Sequence, residues 1–281
     1  MEGKSTKSEL DSKEKIAKSL RDVDHELIVM SGKGGVGKST VAANLAASFT
    51  SRGYEVGLVD CDMHGPSIPK LLGVRGEELT AKDEDSKIIP IVTDFGLNVV
   101  SLDLILPEND SPVIWRGPIK MMTIQQFLGD VDWGSLDYLI FDLPPGTGDE
   151  PLSVAQLIPD PDGTIIVTTP QDVALQTIRR AVNFARKVDL KVIGLIENMS
   201  GFVCPHCGEK VDIFSSGGGE ALSEELGIQF LGSIPVDPEV VESGEEGRPF
   251  SLDEDLKVSS SFDQIVDGVE DSIEAISGGG N

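Results

Sequence analysis

Eight consecutive residues, Gly32-Lys33-Gly34-Gly35-Val36-Gly37-Lys38-Ser39, match G-x-x-x-x-G-K-[ST] in full. The chemistry such a run supports is the binding of a nucleotide's phosphates. Glycines let the backbone curl until successive N–H groups face phosphate oxygens, and a following helix adds its positive N-terminal end. Lys38 is placed to reach the β- and γ-phosphates, the Ser39 hydroxyl to bind Mg²⁺, and Thr40 to reach the α-phosphate. The context agrees: the apolar run Leu27–Ser31 precedes the glycines, and helical spacing from Ser39 to Ser51 follows.

A nucleotide site also needs acids to hold Mg²⁺ and position water. The run Tyr138-Leu-Ile-Phe-Asp142 is an apolar strand ending in a carboxylate, which would act through a Mg²⁺-bound water. Asp60 and Asp62 close another apolar run in Gly57-Leu-Val-Asp-Cys-Asp-Met-His-Gly-Pro-Ser67. The carboxyl ends of parallel strands are where α/β crevices take ligands. Ser39, Asp60 and Asp142 are therefore the expected Mg²⁺ set. Glycines in Leu143-Pro-Pro-Gly-Thr-Gly-Asp149 can bring a backbone N–H to the γ-phosphate, while Asp149 reads more simply as a helix cap.

A second chemistry stands apart from the first. Phe202-Val-Cys-Pro-His-Cys-Gly208 presents two thiols three residues apart, a bite that suits one metal ion or one edge of a cluster. Both Zn²⁺ and a 4Fe–4S cluster want four ligands, and one chain supplies Cys204 and Cys207 only, with Cys61 placed in the nucleotide crevice as a small buried residue. Two copies of the chain would complete a four-thiolate site. From the residues alone three readings stay open: a 4Fe–4S cluster, Zn²⁺, or a dithiol–disulfide pair.

These residues need a frame that brings them together. Short apolar runs expected to be buried strands are Leu27–Ser31, Val56–Asp60, Leu97–Leu102, Tyr138–Asp142, Gly163–Thr168, Val192–Glu197 and Phe230–Ile234. Helical spacing lies between most of them, at Ser39–Ser51, Ile119–Leu128, Val173–Val188 and Gly219–Leu226. Alternation of this kind predicts an α/β fold of the P-loop type, a mostly parallel sheet with helices on both faces. Residues 76–95 and 103–116 read as loops. The expected organisation is a flexible polar tail over 1–24, a single domain over 25–277 with the cysteine segment near 202–208, and a flexible end over 278–281.

Charge limits the partners. Lys and Arg number 23 against 48 Asp and Glu, a formal −25, so counterion release from nucleic acid has little basic surface to work with. The stretch Val258–Ser277 carries an apolar stripe through Phe262, Val266, Val269 and Ile273, with an acidic opposite face. A membrane-surface helix wants a basic face, so this helix is expected to pack on its own domain. No apolar run reaches the roughly 18 residues of a membrane span. The expectation is a cytoplasmic protein that binds neither nucleic acid nor membrane.

Lys33 is one lysine more than a common phosphate loop needs. Here the sequence resembles the deviant Walker A ATPases, and within them most closely the Mrp/ApbC iron–sulfur carrier family. The residues that carry the resemblance are the loop with Lys33, Asp60–Ser67, Trp115–Pro118, Asp142–Asp149, Thr169-Pro-Gln171, Glu197-Asn-Met199 and Cys204-Pro-His-Cys207. The resemblance implies ATP hydrolysis by a nucleotide-bridged homodimer in which Lys33 reaches the partner's phosphates and Asp62 orients the attacking water. It implies that Asn198, Pro235 and Asp237 face the adenine. It implies that Cys204 and Cys207 from two subunits bridge a 4Fe–4S cluster, which is passed to apo iron–sulfur proteins. A MinD/ParA-like spatial organiser and a zinc-stabilised ATPase dimer are the alternatives. An electron donor like the nitrogenase iron protein fits the cysteine spacing poorly.

Overall fold

In the computed structural model the described residues are 12–62, 65–81, 87–105, 117–203, 207, 209–211 and 216–278. Eleven strands are found among them: β1 Val23–Ser31, β2 Val56–Asp60, β3 Thr80–Ala81, β4 Ile88–Ile89, β5 Ile91–Val92, β6 Asn98–Val100, β7 Leu136–Asp142, β8 Gly163–Thr168, β9 Val192–Val203, β10 Lys210–Val211 and β11 Phe230–Val236. Helix α1 covers residues 12–19. It is followed by α2 Lys38–Ser51, α3 Ile68–Leu71, α4 Gly117–Gly129, α5 Asp149–Ala155, α6 Asp172–Lys187, α7 Gly218–Leu226, α8 Pro238–Glu245 and α9 Lys257–Gly278.

The main sheet runs β10-β9-β8-β1-β7-β2-β6-β5, with β11 also paired to β9. Its central ladders are parallel, and only β10 and β5 run against their neighbours. Strands covered on both faces must be apolar at consecutive positions, which is why β1, β7 and β8 read as unbroken hydrophobic runs. Leu27 and Val29 of β1 join Leu45 and Phe49 of α2 and Phe262 and Val266 of α9 on one side of the sheet. Ile28 and Met30 join Phe127 of α4, Val154 of α5 and Ile178 of α6 on the other. The parallel sheet with helices on both faces stands as the alternation implied, and α9 packs its apolar stripe into the domain.

Three expectations about the chain's organisation change. The stretch 1–24 is not all tail. Residues 12–19 form α1, and Ile16 and Leu20 are buried beside Phe127, Leu128 and Val131. Two apolar residues spaced four apart need no core of their own when a folded surface is there to receive them. Ser19 Oγ donates to Val131 O at 3.3 Å, and Lys15 pairs with Asp130. Residues 1–11 and 279–281 lie outside the described residues, while Gly278 ends α9.

The loop expected over 76–95 contains β3, β4 and β5, because Ile88, Ile89, Ile91 and Val92 have an open sheet edge and a hairpin partner to pair with. In 103–116 the described part opens on a 3₁₀ turn at Leu102–Leu104, and residues 106–116, with Trp115 and Arg116, lie outside the described residues. Strand β9 continues six residues past its expected end at Glu197. No described helix is long and apolar enough to cross a membrane.

One buried acid sits at the far end of β1 from the phosphate loop. Glu26 is 9% exposed, and its Oε2 has no hydrogen-bond partner among the described residues. Burial first, then the Asp162 and Asp160 carboxylates, push its carboxyl up to about 8. The folded chain therefore keeps a proton that the unfolded chain releases near pH 4.5, so stability falls as pH rises from there toward 8. Glu26→Gln is expected to gain about 1–3 kcal/mol at pH 8.5 and change little at pH 4.5. Urea unfolding at both pH values tests this, and equal effects would refute it. By the same assay Ile16→Ala is expected to lose about 2–3 kcal/mol. A loss under about 0.5 kcal/mol would mean that α1 is not docked in solution.

Candidate functional site

The phosphate loop occupies the turn between β1 and α2, and α2 starts at Lys38 behind Gly37. Gly37 has φ +81, and a Cβ there would fall 2.1 Å from Asn198 Nδ2. No side chain satisfies both demands. At Gly32 the constraint is close approach alone, since a Cβ would sit 2.6 Å from Thr177 O in α6. Ser31, Gly34, Gly35, Gly37, Lys38, Ser39, Thr40, Asp62 and Pro145 line a cleft of about 240 Å³ at the carboxyl edge of the sheet.

The acids converge beneath it. Parallel register places Asp60 of β2 opposite Asp142 of β7. Lys38 Nζ lies 2.6 Å from Asp142 Oδ1, with the two side chains 5% and 0% exposed. Ser39 Oγ lies 2.5 Å from Asp142 Oδ2. Burial pushes the Asp142 carboxyl up against the pull of Lys38 and Ser39. Asp60 is pushed up to about 8, by burial and then by Asp142, with Lys38 opposing. Two buried carboxyl groups thus face one lysine, and the proton that Asp60 keeps at neutral pH is one that a divalent cation would displace. The donors are all oxygen, the set that suits Mg²⁺.

The structure redistributes several expected roles. Asp142 and Ser39 meet directly, but the hydrogen bonds of Asp60 run to Ser101 Oγ and to the Asp62 N–H, both at 3.0 Å. Asp60 thus fixes the backbone that carries Asp62, which lines the cleft, half-buried. Of the two glycines in Leu143–Asp149, Gly146 donates its N–H to Ser31 O at 2.9 Å. Asp149 is the first residue of α5, whose N-cap is Gly148.

Asn198, expected to face the adenine, also holds the phosphate loop. Its Nδ2 donates to Val36 O and its Oδ1 accepts from the Met199 N–H, both at 2.9 Å. Beside it, β11 pairs Ile234 with Asn198, which brings Pro235 and Asp237 to the same end of the sheet. Asp237 caps α8 by accepting from the Glu239 N–H at 3.0 Å. Lys33 turns away from its own cleft, with Nζ 3.4 Å from Oε1 of Gln171 at the start of α6.

The cysteine segment follows β9 in the chain. That strand runs to Val203, and β10 returns antiparallel with Lys210 opposite Val203 and Val211 opposite Phe202. Cys207 is a free, exposed thiol between them, while Cys204, Pro205, His206 and Gly208 lie outside the described residues. Cys61 is buried, and burial followed by the Asp60 and Asp142 carboxylates pushes its thiol up. Among the described residues no group of three or more His, Cys, Asp or Glu is placed to hold a metal ion.

Sequence reasoning missed Ser101, Gln171 and Glu197 as working residues. Gln171 and Glu197 stand inside quoted motifs, but their partners lie 138 and up to 22 positions away. Ser101 carries no signal beyond being a polar residue inside the run Leu97–Leu102.

Comparison with known proteins agrees with this geometry. The model of the ParA family, described as the NUBPL iron-transfer P-loop NTPase, matches residues 22–270. An iron-sulfur cluster carrier protein of Saccharolobus solfataricus is 49% identical over 262 residues, 93% of this chain and 88% of that protein. The cytosolic Fe-S cluster assembly factor CFD1 of Saccharomyces cerevisiae is 48% identical over 230 residues, 80% of this chain and 78% of that one. A solved nucleotide-binding protein of Archaeoglobus fulgidus, in complex with ADP, superposes with a TM-score of 0.76 at 38% identity, covering 86% of this chain and 94% of that chain. The cell division ATPase MinD of Pyrococcus furiosus shares the fold, with a TM-score of 0.68 at 24% identity over 89% of this chain and 99% of its own. The chain belongs to the ParA family of NUBPL iron-transfer P-loop NTPases.

Proposed function

We propose that this chain is a cytoplasmic ATPase that works as a homodimer, carries a 4Fe–4S cluster between the cysteines of two subunits, and delivers it to apo iron–sulfur proteins. The observation that carries the reading is the joining of two sites by one strand. β9 passes beside the phosphate loop at Asn198 and then delivers the exposed cysteine hairpin. The naming of relatives at 48–49% identity as an iron-sulfur cluster carrier and an assembly factor supports it.

Hydrolysis follows from the loop. The backbone N–H groups of residues 34–39 and the α2 N-terminus take the phosphates, and Lys38 moves from Asp142 to the β- and γ-oxygens. Ser39 and Asp142 would hold Mg²⁺, which neutralises charge on the phosphate oxygens when bound. Asp62 orients a water whose oxygen attacks the γ-phosphorus as the bond to the bridging oxygen breaks, giving ADP and phosphate. Lys33, turned outward in one chain, reaches the partner's phosphates. Asn198 acts on the nucleotide through the loop it braces, and Pro235 and Asp237 lie on the side where the base would sit. Two cysteines per chain make four thiolates per dimer, enough for one cluster held loosely enough to leave.

The same four thiolates suit Zn²⁺, so metal analysis decides. After anaerobic reconstitution with iron and sulfide, about four Fe and four sulfide per dimer are expected, and Cys204→Ala or Cys207→Ala abolishes both. Stoichiometric zinc that resists replacement would refute the carrier. For Lys33, Lys33→Ala and Asp142→Asn homodimers are each expected to lose hydrolysis by about 100-fold or more. An equal mixture should recover about a quarter of the wild-type rate, because half the dimers then hold one site with Asp142 and a partner's Lys33. A mixture with no recovery would show that Lys33 does not act across the interface.

A further inference from the structure

We infer that Glu197 is a positioning residue that ties the cysteine hairpin to the phosphate loop. The inference rests on the proposed function only for what the cysteines hold. Neighbouring side chains on a strand point to opposite faces. Asn198 takes hold of the phosphate loop at Val36 O. Glu197 takes hold of the segment to which the chain returns after the hairpin.

The grip of Glu197 is complete and buried. The residue is 0% exposed. Its Oε1 accepts from Ser200 Oγ at 2.5 Å and from the Gly217 N–H at 3.0 Å, and its Oε2 accepts from the Gly219 N–H at 2.5 Å. Gly217 is the N-cap of α7, so the carboxylate lies against the positive end of a nine-residue helix. A Cβ on Gly219 would fall 2.9 Å from Oε2, which leaves room there for glycine only. The chain leaves β9 after Val203, passes Cys207 and β10, and comes back to this carboxylate at Gly217.

Just beyond the two anchors the strand is irregular. Ile234 of β11 pairs with Asn198, but Val236 pairs with Phe202, so residues 199–201 stand out of register. Met199 has φ +59, a left-handed conformation that a methionine adopts only at a cost, and Gly201 has φ +73. A bulge re-aims the strand beyond it. Here its start is fixed to the phosphate loop and its flank to α7. A shift of the loop on nucleotide binding moves Asn198, turns the bulge against the fixed Glu197, and swings the hairpin that carries Cys207. A carboxylate serving only as a helix cap would hold α7 and leave Cys207 indifferent to nucleotide.

The test reads thiol reactivity and needs no metal. Alkylation of Cys207 is followed by mass spectrometry on the metal-free full chain, with and without a non-hydrolysable ATP analogue and Mg²⁺. The wild-type rate is expected to change about fivefold or more with nucleotide, the size of an ordinary coupling between sites. Glu197→Gln, which puts an amide N–H₂ where backbone N–H groups need an acceptor, should cut the change below about twofold, with nucleotide affinity held within about twofold. Gly219→Ala, which displaces the same carboxylate from the other side, should do likewise. Ser200→Ala removes one donor and leaves α7 capped, so it should give an intermediate response even where the harsher variants unfold. A wild-type chain whose Cys207 ignores nucleotide overturns the inference, as does a folded Glu197→Gln chain that keeps the full response. Iron and sulfide measured in parallel on the wild type judge the carrier reading separately. Their absence would refute that reading and leave the link between sites standing.

Discussion

Lys38 and Asp142 meet 2.6 Å apart with almost no exposure, and Asp60 stands in register beside Asp142. Taking such charges out of water is expensive, and removing one member of a buried pair commonly costs about 3–5 kcal/mol. The arrangement survives because β1, β7 and β2 are parallel, fully covered and held in one register by their apolar side chains. Sliding β7 by one residue against its neighbours would send Asp142 to the opposite face. The hydrophobic pattern of the strands therefore sets the chemistry at their ends. Lys38 balances Asp142, and Asp60 beside them holds a proton that Mg²⁺ arriving with a nucleotide would displace.

The same economy of position extends along β9. Its first half is ordinary sheet between β8 and β11. Glu197 and Asn198 close that regular ladder, one reaching α7 and the other the phosphate loop, and beyond them the strand leaves register and runs into the hairpin with Cys207. Glycines mark both contact points: Gly37 facing Asn198 and Gly219 facing Glu197. A polar side chain that reaches a backbone from a neighbouring element needs that backbone bare of a Cβ.

What was legible in the sequence was what local patterning specifies. The runs that became β2 and β8 can be bounded from composition alone, and the phosphate loop is defined by residue type and spacing within eight positions. Boundaries drifted where pairing with a distant strand extends an element past its apolar run, as in β9 beyond Glu197. The docking of α1 leaves no local sign because the surface that receives Ile16 and Leu20 includes Phe127, Leu128 and Val131, more than a hundred positions away. The bond of Asn198 to Val36 O has no local sign in the sequence, because its partner lies 162 positions away. The Gln171 amide that takes Lys33 was similarly invisible, because side-chain partners across 138 positions leave no periodicity.

One chain leaves both of its chemistries incomplete. Lys33, half-buried, rests on Gln171, and Cys207 is an exposed thiol on a short hairpin. On the proposed reading both are completed by a second copy, yet each copy carries a formal −25. Two such surfaces repel, and a large net charge of one sign favours separate subunits. A nucleotide adds more negative charge at the junction unless a lysine from each side meets it. Lys33 then decides whether association is favourable, because its hydrogen bond to Gln171 at 3.4 Å is a weak one to give up for a phosphate. Acidity would in that way make the dimer conditional on nucleotide, and a conditional dimer is what a four-thiolate site that must release its cargo requires.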